Sequence, residues 1–283
     1  MRLLILVFIL ILNLQAKPLF SNDAQASTSK YMMNLKNLII ATQKVRGLTN
    51  SYLNGNTAAL LLVYSNRNDI KRALGNMESY SIAEDPVINN RATTISSELI
   101  KLNTLALNQK PKKVFSQYTG IIGQMLMLAQ SVSERSNKNL TSFGRNASMI
   151  MMKVMLPMTE YTGRLRGFGA GLAVKGKVTR DELENIKALS YQLISLNKDL
   201  QRQMNSLFTD YPNKLSAKIL AQLSTVNNSV QRYTSYAQVH FATDPKDIDP
   251  NTYFDKGTAL ISKIVNIYNV TNKAILEDSK GWF

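Results

Sequence analysis

Two stretches of the chain place arginine among small and polar residues in a way that can do chemistry. They are Gln43-Lys44-Val45-Arg46-Gly47-Leu48-Thr49 and Glu160-Tyr161-Thr162-Gly163-Arg164-Leu165-Arg166-Gly167-Phe168-Gly169. Their centres match in type (basic, apolar, Arg, Gly, apolar) at an offset of 120 residues, a hint of internal duplication. A guanidinium is planar, permanently charged and forked, so it holds a small planar oxyanion by two parallel hydrogen bonds. Gln43, Arg46 and Asn50 fall on one helical face at i, i+3, i+7, and Arg46 follows Val45 of an apolar stripe. An arginine at the border of a core needs an anionic or carbonyl partner. Two such arginines from two half-chains could clamp one anion. The plainer alternative is that each is exposed, or pairs with Glu160, Glu98 or Asp69.

The second stretch also concentrates Gly163, Gly167, Gly169 and Gly171. A glycine inside a helix costs about 0.8–1 kcal/mol relative to alanine, so something must offset four of them. Gly163, Gly167 and Gly171 share a face at i, i+4, i+8, where missing side chains let a helix or a small ligand approach the backbone. Helix packing alone and ligand access both satisfy that pattern.

The elements that must position these residues are helices. Leu38, Ala41, Val45, Leu48 and Tyr52 form the stripe of a bundle helix beginning near Ser27 and ended by Asn54-Gly55-Asn56. Periodicity and breakers then predict helices over 57–80, 87–108, 112–136, 147–174 (with Pro157 as a kink), 180–210, 213–241 and 252–277. Thr179 and Glu182 fit a capping box. Convincing alternating strands are absent, so the expected fold is all-α: eight long helices in two packed up-and-down four-helix bundles. The half-bundles are expected at roughly 27–136 and 147–280, divided by the polar stretch 137–146.

Composition narrows the function. The 283 residues include no Cys and one His, His240, which leaves no thiolate metal site, disulfide or thiol nucleophile and little room for a triad or multi-His centre. The clustered Met149, Met151, Met152, Met155 and Met158 lack His or Cys support and read as core. The expectation is a non-enzyme with no metal and no cofactor. A net charge of +15 favours anions in general, but no basic run with interleaved aromatics supports nucleic-acid binding. Met1-Arg2, the apolar stretch Leu3 to Leu14 and Ala16 predict a signal peptide over 1–16. The mature chain is then periplasmic or secreted, or held at the inner membrane by an uncleaved N-terminus.

At its arginine stretches the chain resembles the nitrate- and nitrite-sensing (NIT) domain family. That family carries an early Gln-x-[Glu/Arg]-Arg-Gly-x-[Ser/Thr] signature and a second, arginine-containing, small-residue signature about 120 residues on. Residues 43–49 and 163–169 look like these, and Tyr253-Phe254-Asp255-Lys256-Gly257-Thr258-Ala259-Leu260-Ile261 looks like the family's closing helix. The resemblance implies nitrate or nitrite bound between two helical bundles. Arg46 and Arg166 match the two site arginines, Arg164 supports them, and Arg232 matches a further arginine in the penultimate helix. Gln43, Gly47, Asn50, Gly163 and Gly167 are the expected supporting residues. Val45 departs from the family, which usually has a charged residue there. Family members usually carry an output module; none is seen before Phe283, so a separate signalling partner is expected, with a homodimer left open. The competing functions are a helical adaptor that binds another protein through a groove and, last, an enzyme.

Overall fold

The structure, a computed structural model, describes residues 19–280, with side chains from residue 26 onward. The leader expected over 1–16 lies outside the described residues.

Among the described residues nine α-helices follow in chain order: α1 (Leu19–Leu53), α2 (Ala59–Met77), α3 (Pro86–Leu105), α4 (Pro111–Ser136), α5 (Ser142–Ile150), α6 (Leu156–Lys175), α7 (Arg180–Asp210), α8 (Lys218–Thr243) and α9 (Pro250–Ser279). A π-helical turn over Met151–Met155 makes α5 and α6 one continuous rod, which gives the eight long helices expected. No strand occurs among the described residues, and no helix there is long and apolar enough to cross a membrane.

The local signals act as their chemistry requires. Thr179 and Glu182 cap α7 reciprocally. Asp85 accepts from the N–H groups of Val87 and Ile88 ahead of Pro86, which opens α3. Gly176 ends α6 at φ 64°, a left-handed cap that suits a residue without Cβ. Pro157 has no N–H to give the carbonyl one turn back. The strain appears as the π turn just before it, where the N–H of Leu156 reaches the carbonyl of Met151. The polar stretch 137–146 is shorter as a connection than expected. Thr141 caps α5, and Phe143 and Ala147 already pack inward among polar neighbours.

In the first bundle α1 packs on α2 and α4, and α3 packs on α4. In the second, α6 packs on α7 and α9, while α8 packs on α7 and α9. The two bundles meet where α1 runs along α6, with α4 and α9 flanking. The second half of α1 is therefore covered on all sides. Thr42, Gln43, Arg46, Thr49, Asn50 and Ser51 are buried along with Val45 and Leu48. A polar helix segment enclosed this way must satisfy its side chains internally. Met151, Met152, Met155 and Met158 are core, and Met149 faces solvent.

Candidate functional site

The site begins at a contact of backbone on backbone. A Cβ built on Gly47 would stand 3.1 Å from Gly167 Cα and 2.7 Å from a Phe254 ring carbon; one on Gly167 would stand 2.8 Å from Gly47 Cα. Neither position has room for a side chain, so α1 and α6 come together at these two glycines. The Asn50 amide fixes the crossing by donating to the Gly167 carbonyl at 2.9 Å. The residues preceding the two glycines are Arg46 and Arg166, so the crossing brings both arginines to one buried region.

Arg46 is fully buried and lies along α6 toward its N-terminus. Its Nη1 and Nη2 donate to the two carboxylate oxygens of Glu160 at 2.5 and 3.2 Å, a fork filled on both prongs. Nη1 also donates to Thr119 Oγ1 at 2.9 Å, and the guanidinium lies 4.9 Å from the ring centroid of Phe115. Gly163 faces this group, with its missing Cβ 3.2 Å from Arg46 Nη2 and from Gln43 Oε1. Gln43 Nε2 reaches Thr159 Oγ1 at 3.4 Å, while its Oε1 and Arg46 Nε have no hydrogen-bond partner.

Arg166 is 1% exposed and is placed differently. Its stem passes over Gly257 of α9, where a Cβ would stand 2.8 Å from the Arg166 Cβ and 2.6 Å from the Tyr233 hydroxyl. Nη1 donates to Thr258 Oγ1 at 2.9 Å, and the guanidinium lies 4.4 Å from the centroid of Phe254. Nε and Nη2, the pair that forms the side-on fork of a guanidinium, have no partner; the buried hydroxyl of Tyr233 has Tyr253 as its polar neighbour, the two rings 5.3 Å apart. No carboxylate is within salt-bridge distance of Arg166 among the described residues. Burial lowers its pKa to about 10; Tyr233 opposes the shift, the charge on Arg46 adds to it, and the carboxylates of Glu160 and of the exposed Asp255 oppose it. Two buried guanidinium groups meet one buried carboxylate, so Arg166 has no ion-pair partner of its own, and the exposed Asp255 acts on it only at a distance.

The other expected residues lie around this centre. Arg164 is half-buried, stacked 5.3 Å from the centroid of Tyr161, and lines a cleft of about 650 Å³ with Asn50, Phe115, Thr119 and Lys175. Thr119 links that cleft to Arg46. Arg232 is exposed and lines a separate groove of about 330 Å³ with Lys256 and Lys263. Its neighbour Tyr233 is the residue of that segment that turns inward toward Arg166. His240 is exposed, its ring 4.2 Å from that of Tyr236. Sequence reasoning gave no part to Phe115, Thr119 or Tyr233, and Gly257 appeared only within the closing-helix segment. Thr258 and Phe254 were visible only as members of the closing-helix segment.

A family model described as nitrate and nitrite sensing (NIT) matches residues 37–276. No curated protein sequence matches at a significant level. A solved structure described as that of the NasR transcription antiterminator superposes with a TM-score of 0.64 at 13% identity, covering 93% of this chain and 71% of that one. At that identity the likeness carries the fold alone.

Proposed function

Since the chain belongs to the nitrate- and nitrite-sensing family, we propose that it senses nitrate or nitrite as a small planar oxyanion held at Arg166. The observation that carries this reading is the unpaired Nε/Nη2 edge of a guanidinium that is 1% exposed and forms no ion pair with a carboxylate. A buried charge left in this condition is costly, and a planar monovalent anion meets the need with two parallel, charge-assisted hydrogen bonds. The Tyr233 hydroxyl supplies a further donor from α8.

In this reading Arg46 adds positive charge from the first bundle, while Gly47, Gly163 and Gly167 permit the close crossing and Gln43 and Asn50 brace it. Arg164 and Arg232 draw the anion inward from the two surface openings, as a like-signed lining raises local anion concentration. The anion relieves repulsion between the two arginines and so favours one relative placement of α1 and α6; a ligand shifts such an equilibrium only by its differential affinity for the two placements. A separate signalling protein reads that placement. The protein works in the periplasm or outside the cell, delivered by its N-terminal leader.

Calorimetric titration with nitrate, nitrite, chloride and sulfate at constant ionic strength tests the reading. Saturable one-to-one binding of nitrate or nitrite, lost in Arg166→Met, is expected. Equal weak heats from all four anions would mean that the positive charge acts only as a diffuse field, and would overturn it.

A further inference from the structure

Glu160 is the one buried carboxylate at the crossing, and its geometry is that of a bound planar oxyanion. Both of its oxygens are engaged by the Arg46 fork, at 2.5 and 3.2 Å, and the two side chains are 0% and 8% exposed. Glu160 shares α6 with Arg166, six residues and about 9 Å of helix rise away, and its charge is felt at Arg166. Between them Gly163 offers no side chain, and Arg46 Nη2 lies against that gap.

We propose that Glu160 sets which anions the site admits. It acts as a tethered anion that permanently occupies one of two arginine forks. This rests on the reading of Arg166 as the ligand's fork. With Glu160 in place, the buried arginines present one net positive charge, so one monovalent oxyanion neutralises the site. A dianion such as sulfate would bring a second negative charge into an enclosed region with nothing left to pair it, and is excluded by that cost. Glu160 is thus a selectivity residue that acts through charge count without touching the ligand.

The test is Glu160→Gln, which keeps the shape and one acceptor oxygen but removes the charge and turns the second acceptor into an N–H donor, titrated with nitrate and with sulfate at constant ionic strength. The sulfate-to-nitrate affinity ratio is expected to rise at least tenfold over the wild type; a smaller rise overturns the proposal. Glu160→Asp restores the charge and is expected to restore the exclusion of sulfate; sulfate binding by Glu160→Asp at the level of Glu160→Gln overturns it as well. If Glu160→Gln shows no cooperative melting in chloride, the same titration is read as recovery of the transition. Recovery by sulfate, at concentrations that leave the wild-type transition unmoved, supports the proposal; recovery by nitrate alone, or no recovery, overturns it. A wild type that binds neither nitrate nor nitrite sinks the reading of Arg166. In that case Glu160→Gln still decides the role of Glu160: newly gained oxyanion binding supports it, and no gain removes it.

Discussion

The three buried cations among the described residues differ in what neutralises them, and that difference decides what each substitution does. Arg46 is paired with Glu160, so Arg46→Met leaves a buried carboxylate alone; a loss of about 3–5 kcal/mol is expected in denaturant unfolding. Arg166 has no carboxylate. Arg166→Met is expected to leave the melting temperature unchanged or raise it while binding is lost, which makes it the cleaner probe of function. Lys36, on α1, is 4% exposed, donates to Asn269 Oδ1 at 2.9 Å, and lies 5.6 Å from the Tyr268 centroid. Burial lowers its pKa to about 8. Between that value and the ordinary 10.5 the unfolded chain holds more protons than the folded one, so stability rises with pH across this window. Lys36→Met is expected to stabilise the protein at pH 7 by about 3 kcal/mol and to flatten that rise. Melting curves of both proteins at pH 7 and pH 10 check it; parallel curves would refute it. Arginine's need for an anionic partner was legible from residue type alone. Which arginine had its partner was not, because Glu160 and Arg46 lie 114 positions apart and only the crossing of α1 and α6 joins them.

At the scale of elements, glycine divides into two kinds. Gly47 and Gly167 sit at the helix crossing, and alanine at Gly167 would press a methyl to within 2.8 Å of backbone. Gly167→Ala is expected to cost about 1–3 kcal/mol through overpacking. Gly120 and Gly123 of α4 have nothing within 4 Å, so alanine there is expected to add up to about 1 kcal/mol each through helix propensity alone. Opposite shifts in denaturant midpoint for the two sets would distinguish them; shifts of the same sign would mean that the crossing is looser than its geometry indicates. The i, i+4, i+8 spacing announced a face of close approach, and the partner on that face is now α1. The caps at Thr179 and Gly176 were readable because they are local chemistry. The π turn was not: Pro157 foretold a disturbance, but its form depends on packing around Met151 to Met158.

At the scale of the molecule, period-3.6 patterning and breakers were enough for an all-α chain of two bundles, since each helix carries its own stripe. The placement of those bundles was not readable, because it is set by two glycines and an asparagine that look unremarkable in isolation. Arg232 could not be placed relative to the crossing from its spacing alone. The structure puts it on the exposed side of α8, and its neighbour Tyr233 is the one that meets the buried centre.

The short surface connection at 137–141 has a further consequence. Arg46 comes from one side of it and Arg166 from the other, and they are brought together by helix contact, with peptide continuity playing no part. The proposed anion site is therefore a subunit interface folded into a single polypeptide. A chain cleaved once within that connection is expected to stay associated and keep its ligand, whereas either fragment expressed alone should recognise nothing. Dissociation of the nicked protein on a sizing column would show that the tether, and not the crossing, holds the two halves in register.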